Sequence, residues 1–348
     1  MNRRTLALAA AGVAFILPVT ACTSSKPAET GAAGDATGPA ADAPAATAVT
    51  APGKAKKNYN IQFIQGVAGD EFYISMQCGI EAEAAKLGVT VSTQGPQKFD
   101  PTLQRPIVDS VRATKPDALL IAPTDVTAMQ TPLEAVAQGG SKVVLVDTTT
   151  EDPSYAVSAI ASDNIGGGKA AFDAIKQLNP DGGKVMVMST DPGVSTTDAR
   201  AKGFQDAVKG DPKFQYLGIQ YSHNDPATAA NLMTSALQKD PDLIGVFAAN
   251  LFAAEGTATG VRQANKGEQV KIVGFDAGPG QVKALKAGTV DALVAQQPAT
   301  IGQYGVDMAV AALDGGQVTP KVQTGFTVIT QDNMDTPEGQ AGVYKSSC

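Results

Sequence analysis

Val246-Phe247-Ala248-Ala249-Asn250 is a short apolar run that ends on an amide, and the same figure recurs along the chain. Ile272-Val273-Gly274-Phe275 runs into Asp276, Leu293-Val294-Ala295 into Gln296, and, earlier, Val143-Val144-Leu145-Val146 into Asp147. Unbroken apolar runs of this length suit strands covered on both faces. A polar residue directly after each run marks the carboxyl end of a strand, where an open α/β sheet exposes side chains to a crevice. Carboxylates and amides placed there can take several hydrogen bonds from vicinal hydroxyls. Singly, each reads as a cap or turn residue. Four at equivalent places outweigh that.

Working outward, Ile61 to Ile64 reads as a strand, and Tyr73, Met76, Ile80, Ala84 and Leu87 form an apolar stripe at helical spacing. Gly88 ends that helix and Val89 to Val91 is the next strand. Asp100-Pro101 is a cap and first-turn pair for a helix carrying Ile107, Val108 and Val111, with Pro106 expected to kink or shorten its first part. Ala118 to Ile121 is a strand, Thr127 to Gln138 a helix, and Val157 to Ala161 a strand. The rhythm then restarts with helix Ile165 to Leu178, strand Lys184 to Met188, helix Thr197 to Lys209 and strand Phe214 to Ile219. Asp225-Pro226 opens a helix to Lys239, then strand Leu243 to Phe247 and helix Ala253 to Asn265. Strand Val270 to Gly274, helix Gly280 to Lys286, strand Ala292 to Ala295, helix Thr300 to Leu313 and strand Phe326 to Ile329 complete the series. This alternation predicts an α/β chain of two similar doubly wound parallel-sheet lobes. The carboxyl ends of their strands would face each other across a cleft able to close on a solute.

The catalytic inventory is poor. His223 is the only histidine, which removes His-based metal sets. Gly166-Gly167-Gly168-Lys169-Ala170 lacks the spacing and the hydroxyl of a phosphate loop, and is expected to let a helix start pack closely on a strand. A carboxylate pair for glycoside hydrolysis is a minor alternative. The formal charge of −7 offers no basic field for nucleic acid, and without tryptophan any ring stacking must come from Phe or Tyr. Arg200, behind the loop Thr190 to Ser195, is either a planar fork for ring and hydroxyl oxygens or half of a surface ion pair. Phe72-Tyr73 offers one ring to a sugar's C–H face and one to the core, or both to the core.

The amino end reads as an export signal over residues 1–21: Asn2-Arg3-Arg4, an apolar stretch from Leu6 to Val19, then Val19-Thr20-Ala21-Cys22. That tetrad resembles the lipobox of bacterial lipoproteins, which implies lipid attachment (palmitate) at Cys22. Residues 22–57 would be the anchor point and a flexible tether rich in Ala, Pro, Gly, Thr and Ser. Cys78 and Cys348 then remain, as a candidate disulfide or as two unrelated thiols.

From Tyr59 to Ile329 the chain resembles the ribose-binding-like periplasmic sugar-binding proteins, whose fold is shared with lactose-repressor-type regulators. The resemblance rests on Leu120-Ile-Ala-Pro-Thr-Asp125, Ile160-Ala-Ser-Asp-Asn-Ile-Gly-Gly167, Val246 to Asn250, Val273 to Asp276, and Gln296 followed by Pro298. An export signal stands where the regulators carry a DNA-binding domain. The resemblance implies a type I periplasmic binding protein whose lobes are joined by a three-strand hinge near Ala161-Ser162, Gln296-Gln297 and Phe326. The N-terminal lobe would be 58–161 plus 298–326, and the C-terminal lobe 162–297 plus 327–348. It maps ligand binding onto Asp70, Phe72, Tyr73, Asp147, Arg200, Asn250, Asp276 and Gln296. Asn224 falls where the family places a stacking aromatic, with Tyr221 and His223 as replacements. Ala122 stands in place of an asparagine and Thr148 in place of an arginine, which argues against ribose itself.

The implied function is that of a substrate-binding protein of an ABC-type uptake system. It would capture a monosaccharide or polyol and deliver it to a membrane permease. It is expected to be a monomer without cofactor, metal or catalytic residue, lipid-anchored on the outer face of the cell membrane. The alternatives are a receptor presenting a sugar or furanosyl signal to a membrane sensor, and a secreted carbohydrate-active enzyme. The tail from Thr330 to Cys348 runs past the usual family end and would strap a lobe.

Overall fold

The computed structural model describes residues 47–348; the expected export signal and Cys22 lie outside the described residues. The first lobe opens with β1 (Asn60–Ile64), α1 (Glu71–Leu87), β2 (Thr90–Gln94) and α2 (Pro101–Thr114). It continues with β3 (Ala118–Ile121), α3 (Gln130–Gln138), β4 (Lys142–Val146) and β5 (Ser158–Ser162). The second lobe begins with α4 (Asn164–Leu178), β6 (Gly183–Ser189), α5 (Ser195–Lys209), β7 (Phe214–Tyr221) and α6 (Pro226–Lys239). Then come β8 (Leu243–Ala248), α7 (Leu251–Gln263), β9 (Lys271–Phe275), α8 (Pro279–Lys286) and β10 (Ala292–Ala295). The chain returns to the first sheet through α9 (Pro298–Asp314) and β11 (Lys321–Thr324). It then crosses to β12 (Thr327–Thr330) and reaches α10 (Pro337–Ala341) before the tail.

The two sheets repeat one topology. Their strand orders are β2-β1-β3-β4-β5-β11 and β7-β6-β8-β9-β10-β12, parallel throughout except where β12 runs antiparallel to β10. In the central strands Leu119, Leu120, Val144, Val246, Phe247 and Val273 are fully buried, as helices on both faces require. The chain crosses between the sheets after β5, after β10 and between β11 and β12. β4 and β9 occupy the same place in their sheets, so Asp147 and Asp276 are equivalent residues.

Local signals set most boundaries. Asp70, Asp100 and Asp225 accept hydrogen bonds from Phe72 N, Thr102 N and Thr228 N at 2.7–2.8 Å, capping α1, α2 and α6. Gly88, at φ 78°, closes α1 in the left-handed conformation that a side chain disfavours. Four expectations need correction. The helix α2 runs through Pro106, because the proline lies on an exposed face where the freed carbonyl meets water. The helix α3 starts at Gln130, since Asp125 bonds the Thr127 and Ala128 amides and holds that stretch as a turn. The strand β11 was not foreseen; its alternating burial marks a one-sided edge strand rather than a buried run. The tether was expected to extend to residue 57, yet Thr47 already pairs with Gln323, and Lys56 bonds Asp314 through both its backbone N–H and its ammonium.

Helix packing repeats between lobes as well. Gly79 and Gly302 let α1 and α9 touch backbone to backbone, and Gly168 and Gly203 do the same for α4 and α5. The glycine cluster expected to approach a strand therefore divides its work: Gly167 lies against the Phe275 ring of β9, while Gly168 lies against the Arg200 carbonyl of α5. An added Cβ at Gly203 would collide with the Ile165 carbonyl oxygen. Overpacking rigid backbone costs about 1–3 kcal/mol. Gly203→Ala is thus expected to lower the unfolding free energy by that amount, seen as a lower denaturant midpoint with the unfolding slope unchanged. A midpoint equal to wild type would show that α4 and α5 have slack which this packing denies them.

Candidate functional site

The carboxyl ends of the two sheets face one another, and the lobes touch at the mouth of the cleft. Val126 N donates to Gly193 O at 3.1 Å, and Thr149 N to Ser195 Oγ at 3.0 Å. Between them lies about 400 Å³ of unfilled space, mouth included. From the first lobe it is lined by Asp70, Phe72, Tyr73 and Asp147, and from the second by Arg200, Asn224, Asn250, Asp276 and Gln296. The structure thus brings all nine sequence-derived candidates to one place.

Each side chain is aimed by its local backbone. Asp147 and Asp276 follow β4 and β9 with φ of 66° and 78°, a left-handed turn that Asp tolerates better than bulky residues. Their backbone N–H groups donate to Ile160 O and Val294 O at 2.8 and 2.9 Å, pinning the turn to the neighbouring strand. Asn250 caps α7 through its Oδ1 to Ala253 N, and its Nδ2 donates to Asn224 Oδ1 at 2.6 Å. Asp276 Oδ1 accepts from Gln296 Nε2 at 2.6 Å, and Oδ2 from Leu251 N at 3.2 Å. Gln296 Oε1 in turn accepts from Ser162 Oγ at 2.7 Å, so two hinge crossings are joined behind the site.

Arg200 is buried rather than paired on the lobe surface. Its Nε donates to Asn164 Oδ1 and a terminal nitrogen to Ala249 O, both at 2.8 Å, and its guanidinium carbon stacks 3.8 Å from the Phe275 ring centroid. Those contacts fix the plane of the fork. Tyr73 and Phe72 meet edge to face at 5.1 Å, and the Tyr73 hydroxyl donates to Asp147 Oδ2 at 2.8 Å. Both rings line the cavity, so neither is purely core.

The electrostatics are those of carboxylates crowded out of water. Burial, then the charge of Asp276, pushes Asp70 up to about 8 against the pull of the Phe72 amide. Burial raises Asp147 to about 6, moderated by Arg200 and the Tyr73 hydroxyl. Burial also raises the Tyr73 hydroxyl, so it remains a neutral donor.

Other lining residues escaped sequence reasoning. Phe99 comes from the loop before α2, while Thr190, Val194, Thr196 and Thr197 come from the β6–α5 loop and the first turn of α5. Nothing in the periodicity singles them out; the only cue to Phe99 is its place beside the Asp100 cap. Of the residues proposed for the second lobe's aromatic, Asn224 lines the cavity but Tyr221 and His223 do not. His223 is exposed beside Asp191 on the rim. Thr148 turns its hydroxyl to Pro123 O, and Ala122 offers no polar group.

The model of the periplasmic binding protein domain matches residues 61–317. The ribose import binding protein RbsB of Salmonella typhimurium is 34% identical over 277 residues, 79% of this chain and 92% of that protein. Its Bacillus subtilis counterpart is 31% identical over 276 residues, 79% and 88% of the two chains. Among solved structures, an ABC transporter solute-binding protein from Agrobacterium vitis bound with α-D-tagatopyranose is 41% identical. It superposes with a TM-score of 0.81 over 83% of this chain and all of that one.

The raised Asp70 carboxyl carries a pH dependence of defined sign. Its folded value of about 8 exceeds the ordinary 3.8, so the folded state holds the proton more tightly. The stability this confers is complete below about pH 4 and drains away as pH rises through 8. The melting temperature of the unliganded protein is expected to fall between about pH 5 and 8, and less steeply in Asp70→Asn. Parallel slopes for the two proteins would contradict the assignment.

Proposed function

The chain belongs to the periplasmic binding protein family, and from that premise we propose that the nine residues above hold a monosaccharide or polyol. It is the substrate-binding protein of an ABC-type sugar-uptake system, acting outside the cytoplasm and delivering its solute to a cognate permease. It is a binding protein and not an enzyme.

The observation that carries the ligand assignment is the imbalance of acceptors. Asp147 and Asp276 are buried in a cavity with one guanidinium, Arg200, and Asp70, which holds its proton at neutral pH, adds a further carbonyl acceptor and a single donor. A neutral ligand dense in hydroxyls supplies the missing donors, and Phe72 and Phe99 offer apolar faces to its C–H groups. An anion would meet carboxylates, and a cation would meet the arginine. The missing family arginine and asparagine at Thr148 and Ala122, and the Asn224–Asn250 amide pair, argue for a ligand other than ribose. The 41% identity to the tagatopyranose-bound protein makes D-tagatose the first probe.

Capture would proceed by closure about the three crossings, with 58–161 plus 298–326 moving against 162–297 plus 327–344, while residues 345–348 stay tied to α1 of the first lobe. Ligand selects the closed arrangement because only there do both lobes reach it. The signal over 1–21 would be removed and Cys22 would carry the lipid. The stretch from Cys22 to the first lobe contact at Thr47 would then hold the body clear of the membrane.

Thermal stabilisation against D-tagatose, D-fucose, D-ribose, D-arabinose and galactitol is expected to give one stereospecific hit, because a ligand of the folded state raises the midpoint. Asp276→Asn and Asn250→Ala should each weaken that sugar by about tenfold or more, the scale of one hydrogen bond involving a charged or buried partner. Far-ultraviolet circular dichroism should stay unchanged. Wild-type affinity in both variants would remove the ligand from this cleft.

A further inference from the structure

The tail beyond α10 does more than finish the chain. Tyr344 is buried, and its hydroxyl donates to Asp276 Oδ1 at 2.9 Å while accepting from Gln296 N at 3.0 Å. Its own amide donates to Ala277 O at 3.0 Å, so the residue is stitched to the second lobe at both ends. The ring reaches the first lobe, 5.9 Å from that of Phe72. One residue later, Lys345 N donates to Ser75 Oγ of α1 at 2.7 Å, and Cys348 is joined to Cys78 of the same helix as a disulfide. Three residues separate the Tyr344 anchor on one lobe from the covalent anchor on the other. Tyr344 does not itself line the cavity; it stands one layer behind Asp276, Gln296 and Phe72, which do.

We infer that Tyr344 is a positioning residue for the ligand-reading pair Asp276 and Gln296, and that the Cys78–Cys348 disulfide holds it in place. This rests on the assignment of the cleft made above. The hydroxyl gives Asp276 a donor that no ligand has to supply, and it fixes which lone pairs of the carboxylate remain for the sugar. Burial raises the Tyr344 hydroxyl well above its ordinary value, so it stays a donor at any physiological pH. The disulfide removes the freedom of residues 345–348, so ordering the tail is not a cost of binding. Cys348 is exposed, so a reductant reaches the bond in the folded protein.

Calorimetric affinity decides this, using the sugar with the largest thermal shift in the panel above. Wild type is measured oxidised and after reduction with dithiothreitol in the folded state, beside Tyr344→Phe, Asp276→Asn and the double variant. Tyr344→Phe keeps the ring against Phe72 and is expected to weaken binding about tenfold or more. In the Asp276→Asn background the same change should cost less than about threefold, because the partner of the hydroxyl is already altered. Reduction should weaken binding by about threefold or more. A merely structural tyrosine would lower the melting temperature while leaving affinity, well below melting, untouched. Affinity within twofold of wild type in Tyr344→Phe or in the reduced protein, or full additivity with Asp276→Asn, overturns the inference. Should Asp276→Asn and Asn250→Ala both bind as wild type, the cleft assignment has failed instead.

Discussion

A carboxylate taken out of water has to find donors, and Asp276 finds them from widely separated parts of the chain. The hinge supplies Gln296 Nε2, the start of α7 supplies Leu251 N–H, and the tail supplies the Tyr344 hydroxyl. An unpaired buried charge costs several kcal/mol, so these segments are bound to one geometry by the group they share. The site, the hinge and the carboxyl terminus are therefore not separate features. A ligand that exchanges bonds with Asp276 acts on all of them.

The duplicated topology places a second carboxylate, Asp147, across the cleft in the same backbone conformation. There Tyr73 and Arg200 take the balancing role. Each lobe alone presents half a site, open to water on the other side. Bringing the halves together removes water from three acids, which is unfavourable unless donors come in with the ligand. On the proposed assignment, the cleft would in this physical sense select a polyhydroxylated solute, with closure and recognition as one event.

Strand ends were legible because a doubly covered strand must be apolar along its whole length, and the first polar residue after it has nowhere to go but the crevice. Asp147, Asn250, Asp276 and Gln296 follow from that alone. Asp70 and Asn224 needed the family resemblance, and Phe72, Tyr73 and Arg200 needed it to choose between two readings. Phe99 and the threonines of the β6–α5 loop and the start of α5 were invisible, since loop residues obey no period. Tyr344 was invisible for another reason. It lies far from Asp276 in sequence and meets it only because the tail turns back over the hinge. The edge strand β11 and the late start of α3 were misread where turn chemistry and one-sided burial replace the buried-run pattern.

A crystal structure of the protein grown with its most stabilising sugar tests the central claim most directly. One ring or polyol chain is expected between the lobes, its hydroxyls on Asp147, Arg200 and Asp276 and its C–H face against Phe72 or Phe99. Sugar bound outside the cleft, or a cleft holding only solvent at saturating sugar, would contradict it.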